Sequence, residues 1–207
     1  NMIEQHKAQV ESVKEQQKAA EPKAVEIDPA LAAGFVAVAA GDGVQQLFTD
    51  LGVQQIVSGG QTMNPSTEDI LHAAEQVPAM DVYVLPNNKN IIMAAEQAAR
   101  LARTSGVRRI HVVPTTTIPQ GISAMMAYDE GAEVKANVEA MQEAAKHVQS
   151  GSVTFAARDS DYDGHQIHEG ELLALENGKV AFTGTDLGSV TAKIAKDLMR
   201  EDSQFIT

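Results

Sequence analysis

An α/β fold on a parallel sheet is what this sequence predicts, and three observations predict it. Four short β-branched stretches each run into a polar, Gly/Pro-rich loop and then an amphipathic helix. Strand, loop and helix repeated in this way give parallel strands with every loop at the carboxyl edge. After Gly151 the texture changes to short alternating stretches around Asn177-Gly178, a strong hairpin signal. The 207 residues are 43% hydrophobic and 21% charged, enough to bury a core. The expectation is about four parallel strands with helices on both faces, followed by the start of a second α+β lobe containing a β-hairpin.

Residues 1–25 read as a polar helix and linker. The stretch from Glu4 to Glu21 is rich in Gln, Lys, Glu and Ala and stops before Pro22. A chain that opens this way is expected to continue from a preceding domain.

Residues 26–150 read as a Rossmann-like lobe. Its first strand, over 35–40, turns through Gly41-Asp42-Gly43 into a helix over 43–50. A second strand, over 53–58, leads through Gly59, Gly60, Gln61, Thr62 and Asn64 to a helix over 66–76. Ser66 or Thr67 is placed to cap that helix, with Glu68 and Asp69 in its first turn, where acidic groups suit the dipole. A third strand, over 81–85, leads through Pro86, Asn87, Asn88, Lys89 and Asn90 to a helix over 90–104, with Asn88 or Asn90 as its cap. The fourth strand, over 108–113, leads through Thr115, Thr116, Thr117 and Gln120 to helices over 122–128 and 134–148.

Residues 151–207 read as the start of the second lobe. A strand over 152–157, a turn at Asp163-Gly164, a hairpin pairing 171–175 with 179–182 and a helix over 189–199 are expected. The last residues, Gln204-Phe205-Ile206-Thr207, have the look of a strand just beginning, so this lobe is expected to be truncated.

The net charge of −12 argues against nucleic acid, because phosphate contacts need clustered Lys and Arg. With no cysteine there is no disulfide framework, no thiolate nucleophile and no thiolate metal site. No apolar run approaches the roughly 20 residues that span a bilayer, and no signal-peptide pattern opens the chain. Cytoplasm is the expected location.

Familiar catalytic motifs fail one by one. Gly41-Asp42-Gly43 lacks the third glycine of a dinucleotide fingerprint, where Gln46 stands. No Gly-Lys-Ser/Thr phosphate loop occurs, and Gly121-Ile122-Ser123-Ala124-Met125 misses the last glycine of a nucleophile elbow. Asp159-Ser160-Asp161-Tyr162-Asp163-Gly164 resembles the first half of a calcium loop, yet Gly170 occupies the position of the bidentate Glu. His165 and His168, three apart in a strand-and-turn setting, point to opposite faces. His72, His111 and His147 read as isolated packing or surface residues, and no catalytic acid–base pair is evident. No catalytic or metal-ligating residue is therefore assigned.

The loops at the carboxyl edge remain as ligand- or partner-binding elements. Two successive glycines allow close backbone approach, and Gln61, Thr62, Asn64, Ser66 and Thr67 offer neutral hydrogen-bonding groups ahead of a helix N-terminus. Ordinary turn and cap duty accounts for Ser66 and Thr67 but not for Gln61 or Asn64.

The run Ile56-Val57-Ser58-Gly59-Gly60-Gln61-Thr62-Met63-Asn64-Pro65-Ser66-Thr67-Glu68-Asp69-Ile70-Leu71 resembles the carboxyl-terminal region of bacterial fatty acid kinase subunit FakA, also called YloV or dihydroxyacetone-kinase-like. Leu85-Pro86-Asn87-Asn88-Lys89-Asn90-Ile91 and Val113-Pro114-Thr115-Thr116-Thr117-Ile118-Pro119-Gln120-Gly121 are similar to that family's next two motifs. Arg158-Asp159 through Asp163-Gly164, Ile167 and Gly170 are similar to a further one, and the opening Asn1-Met2-Ile3-Glu4-Gln5-His6 resembles the end of its middle domain.

The resemblance implies a region that follows a kinase domain, with ATP and magnesium held in that absent domain and no cofactor here. It implies a role in phospholipid synthesis: docking a DegV-like acyl carrier while the fatty acid carboxylate is phosphorylated, the region itself being non-catalytic. It also leaves room for a homodimer of the full-length subunit. The layout resembles a DegV fold in its own right, with Asn64-Pro65-Ser66 where DegV proteins carry Gln-Pro-Ser in a lipid-headgroup loop. The alternative expectation is thus a DegV-like domain that itself holds a fatty acid or small anion. Against it, the Thr-Ser preceding that motif in DegV proteins is Thr62-Met63 here.

Overall fold

A computed structural model describes residues 24–59, 64–162 and 165–198. The expected helix over 4–21, the Asp163-Gly164 turn and the tail strand at 204–207 lie outside them.

Four parallel strands form the central sheet: β1 (Gly34–Ala39), β2 (Gln55–Ser58), β3 (Asp81–Leu85) and β4 (Arg109–Val112), in the order β2-β1-β3-β4. Alternation along β1 explains the two faces. Val36 and Val38 point to one side, and Phe35, Ala37 and Ala39 to the other, all buried. Both faces of β1 and β3 are covered, as a parallel sheet requires.

On the first face lie α2 (Thr67–Glu75) and α3 (Ile92–Ser105), packing Ile70, Ala74, Ala95 and Ala98 onto Val36, Val38, Val82 and Val84. The alanines let the helices sit close. On the second face lie α1 (Asp42–Asp50), α4 (Ile118–Met126) and α5 (Val134–Lys146), which contribute Phe48, Ile122, Met125 and Met141. Phe35, Tyr83 and Tyr128 cluster there, with ring centroids 4.9–5.6 Å apart. Helices on both faces are as the sequence predicts.

The second lobe is antiparallel. β5 (Gly151–Phe155), β8 (Leu172–Glu176) and β9 (Lys179–Gly184) form a three-stranded sheet, with α6 (Leu187–Leu198) packed on it through Val190 and Ile194. The Asn177-Gly178 turn is a two-residue hairpin loop with both φ positive, 51° and 79°, the combination that matches strand twist. A further small pair, β6 (Ser160–Tyr162) with β7 (His165–Ile167), was not expected from the sequence, because three-residue strands leave almost no periodic signal.

Two helix starts also differ. α4 begins at Ile118 rather than at 122, because the Thr117 side chain caps it and Pro119 suits its first turn. α3 begins at Ile92 with no side-chain cap; neither Asn88 nor Asn90 serves as one. Asn88 instead accepts the Asn90 N–H at 2.9 Å, closing a local turn ahead of the helix.

Arg108, only 2% exposed, ties the first face to the entering chain. Its guanidinium donates to the carbonyls of Val77, Glu75, Val107 and Val25, so it serves the end of α2 and the segment before β1 together. Burial pulls its pKa down, but these acceptors sit where a helix C-terminus favours a cation. Arg108→Met should orphan several buried carbonyls and cost about 3 kcal/mol. Urea denaturation checks this; a loss below about 1 kcal/mol would show that water replaces the guanidinium.

Candidate functional site: the carboxyl edge of the sheet

At the carboxyl edge the third and fourth loops are locked together. Asn87 takes the left-handed conformation, φ 54°, and is buried. Its Nδ2 donates to the Val38 carbonyl of β1 at 3.0 Å, and its backbone N–H donates to Thr115 Oγ1 at 3.1 Å. The Thr115 hydroxyl, fully buried, donates back to Asn87 Oδ1 at 2.8 Å. One asparagine therefore joins the ends of β1, β3 and β4. Asparagine tolerates left-handed φ far better than most residues, which explains its presence at a position with no glycine.

The neighbouring polar residues are engaged as well. The Gln120 side-chain oxygen accepts from Thr116 N–H at 2.7 Å and from its hydroxyl at 2.9 Å. Thr117 caps α4 and meets Ser150 Oγ at 2.7 Å. Ser150 N–H donates to Asn177 Oδ1, and Asn177 N–H donates to the Ser150 carbonyl. Thr117, Ser150 and Asn177 thus couple the fourth loop to the hairpin of the second lobe. Sequence reading found Thr117 as a loop residue and Asn177 as a turn residue, but nothing in the pattern marked Ser150.

In the second loop Ser66 is the cap of α2, completed by a reciprocal capping box with Asp69. The Ser66 backbone N–H, followed by its hydroxyl, draws the Asp69 carboxyl below its ordinary value, so it is ionised at neutral pH. Thr67 opens the helix, Gly59 N–H donates to the Ala39 carbonyl, and Asn64 is exposed. Gly60, Gln61 and Thr62 lie outside the described residues. In the first loop Gly41 turns with φ 86°, and Gln45 Nε2 reaches the Ala39 carbonyl at 3.3 Å, covering the end of β1.

Lys89 and Asn90 are exposed at the start of α3, beside Met93, whose side chain is 74% exposed. Asn64, Lys89, Asn90, Met93 and Thr116 are among the outward groups of the described loops, with the carboxylates of Asp42 and Asp69 exposed beside them. Such a surface can recognise a partner or an anion. The Ser66 hydroxyl does meet a carboxylate, Asp69 at 2.8 Å, but that contact belongs to the capping box of α2.

A carboxylate–imidazole pair does exist, at the opposite edge. Asp81, at the amino end of β3, accepts from Arg109 Nε at 2.8 Å and lies 2.8 Å from His111 Nε2. His111 is thus not isolated, contrary to the sequence expectation; the register that places Arg109 opposite Asp81 and His111 opposite Tyr83 brings them together. The Arg109 guanidinium holds the Asp81 carboxyl below its ordinary value, with burial opposing and His111 assisting. Asp159, of the calcium-like motif, accepts the Glu169 N–H at 2.7 Å and so braces β6 and β7.

A family model for the C-terminal region of FakA-like fatty acid kinase proteins matches residues 34–207. The chain belongs to this family. Uncharacterized proteins of Staphylococcus epidermidis and Staphylococcus haemolyticus are each 40% identical to it, over 207 and 210 residues, and one of Staphylococcus aureus is 38% identical over 207. Each alignment covers 100% of this chain and 36% of the relative, so the chain spans a little over a third of those proteins' length. Among the described residues of this FakA-like region, no helix is long and apolar enough to cross a membrane.

Two measurements probe the carboxyl-edge lock and its counterpart below. A Cβ built on Gly121 of α4 would lie 2.2 Å from Asn87 Oδ1, and Asn87 is pinned by its bonds to β1 and Thr115. Gly121→Ala should therefore destabilise by about 1–3 kcal/mol in spite of alanine's better helix propensity, as measured by thermal unfolding. Asp81 is depressed in the folded state, so its contribution is present above the ordinary carboxylate value of 3.8 and is lost as pH falls through the folded value. Asp81→Asn should lower stability at neutral pH and flatten the acid limb of the stability profile; an unchanged acid limb would contradict this.

Proposed function

We propose that this chain is a non-catalytic docking region of a fatty acid kinase, and that its carboxyl-edge loops receive the DegV-like carrier that presents the acyl substrate. Membership of the FakA-like family over residues 34–207 carries the reading. The loop geometry supports it. Polar groups that would otherwise invite a catalytic assignment are engaged in fixing loop shape, as with Asn87, Thr115 and Gln120. The groups left outward suit recognition of a surface.

On this reading phosphoryl transfer, with its ATP and magnesium, belongs to a kinase domain elsewhere in a longer protein of cytoplasmic lipid metabolism. The region's contribution is positional. It brings the carrier-held carboxylate to that domain and keeps it there with the help of the third and fourth loops, whose internal hydrogen bonds limit the entropic cost of association.

Isothermal calorimetry of the 207-residue chain against the acyl-loaded carrier should show saturable binding. Lys89→Glu combined with Met93→Ser should weaken it by about tenfold or more, because one change reverses a charge and the other removes an apolar side chain from the same edge. Absence of heat, while the full-length kinase protein binds normally, would overturn the proposal. Native mass spectrometry addresses the alternative: a fatty acid retained by the chain alone would favour direct ligand binding.

A further inference from the structure

The opposite flank of the sheet carries a second surface. β2 stands at the end of the strand order, with β1 on one side and no described strand on the other. Gly59 N–H donates to the Ala39 carbonyl of β1, so with Val36 opposite Gln55 alternation turns the amides of Ile56 and Ser58 away from the sheet. Beside this edge runs a shallow groove of about 410 Å³, lined by Gln55, Ile56, Val57 and Ser58 of the strand and by Asp69, His72, Ala73 and Gln76 from α2. An open strand edge flanked by a helix is the geometry in which an extended peptide adds as a further strand, with its side chains falling alternately into the groove.

Charge decides which peptide. From Ala24 to Asn88 the sequence holds no lysine or arginine but eight acidic residues: Glu26, Asp28, Asp42, Asp50, Glu68, Asp69, Glu75 and Asp81. That stretch supplies β1, β2, β3, α1 and α2. On α2, Asp69 lines the groove, and Glu68 and Glu75 stand with His72 at i, i+7 and i+4 on a neighbouring stripe of the same helix. A second copy of this chain would bring the same acidic rim and a net charge of −12, so self-pairing through this edge is opposed.

We infer that the β2–α2 groove binds an extended, lysine- or arginine-bearing segment of a partner protein by strand addition alongside β2. Four residues of β2 offer a ladder of roughly 13 Å, enough for a segment of four to six residues. The outward amides and carbonyls of Ile56 and Ser58 supply main-chain bonds. The acidic rim supplies sign selectivity and faster encounter. This surface adjoins the second carboxyl-edge loop through Ser58 and Asp69, and the inference does not depend on what docks at the loops.

The test uses the 15N-labelled chain and three synthetic probes: an alternating Val/Lys hexapeptide, its Val/Glu counterpart, and the Val/Lys peptide interrupted by a central proline. The Val/Lys probe should shift the resonances of Gln55 to Ser58, His72 and Gln76 and slow exchange of the Ile56 and Ser58 amides. The Val/Glu and proline probes should each bind about tenfold more weakly or not at all. Ser58→Pro removes an outward donor at the exposed strand end while sparing the bonds to β1, so it should abolish binding with the melting temperature nearly kept. The double variant Glu68→Gln, Glu75→Gln keeps the backbone edge and should weaken the Val/Lys probe alone. Equal binding of both charge types, shifts centred elsewhere, or a dimer formed through β2 would each overturn the inference.

Discussion

The structure depends on a single buried asparagine at the carboxyl edge. Asn87 sits in a left-handed conformation, donates to the end of β1, and exchanges two hydrogen bonds with Thr115 beyond β4. A parallel sheet leaves its carboxyl-end carbonyls facing the loops, and a buried carbonyl without a donor is costly. Asn87 answers that need while setting the path of two loops. The approach of α4 follows from it, because Gly121 packs where any side chain would strike the asparagine amide. From α4 the constraint passes through the Thr117 cap to Ser150, and from there to the Asn177 hairpin. Loop shape and lobe placement are thus consequences of one local arrangement.

Much of this was legible in the sequence. The four strands and five of the six described helices fall close to where periodicity and turn chemistry put them, since each strand is β-branched and each loop is punctuated by Gly, Pro or Asn. The Asn177-Gly178 hairpin was readable for the same reason. The sixth helix, α4, was detected but started late, because Thr117 and Pro119 look equally like loop residues until the cap geometry is known. The β6–β7 pair was invisible, its strands being too short for alternation to register.

The site was half legible. Asn87, Thr115 and Gln120 were recognised as special, but whether a polar loop residue faces a ligand or its neighbour is a tertiary fact. It turns on φ at Asn87 and on a 28-residue separation between partners. The Asp81–Arg109–His111 cluster escaped for a related reason: only strand register brings a residue of β3 against two of β4. Arg108 was hidden in the same way, since the acceptors it reaches at Val77 and Val25 are 31 and 83 residues away.

The two edges of the sheet divide the work. The amino edge holds charge pairs that stabilise the strands, while at the carboxyl edge Asn87, Thr115 and Gln120 fix the third and fourth loops. The proposed docking role rests on the carboxyl edge. The most direct measurement is hydrogen–deuterium exchange of this chain with and without its acyl-loaded DegV-like carrier. The account predicts new protection at residues 64–67, 88–93 and 114–120, with 81 and 109–111 at the amino edge unchanged. Protection confined to the amino edge or to the second lobe, with those loops unaffected, would contradict it.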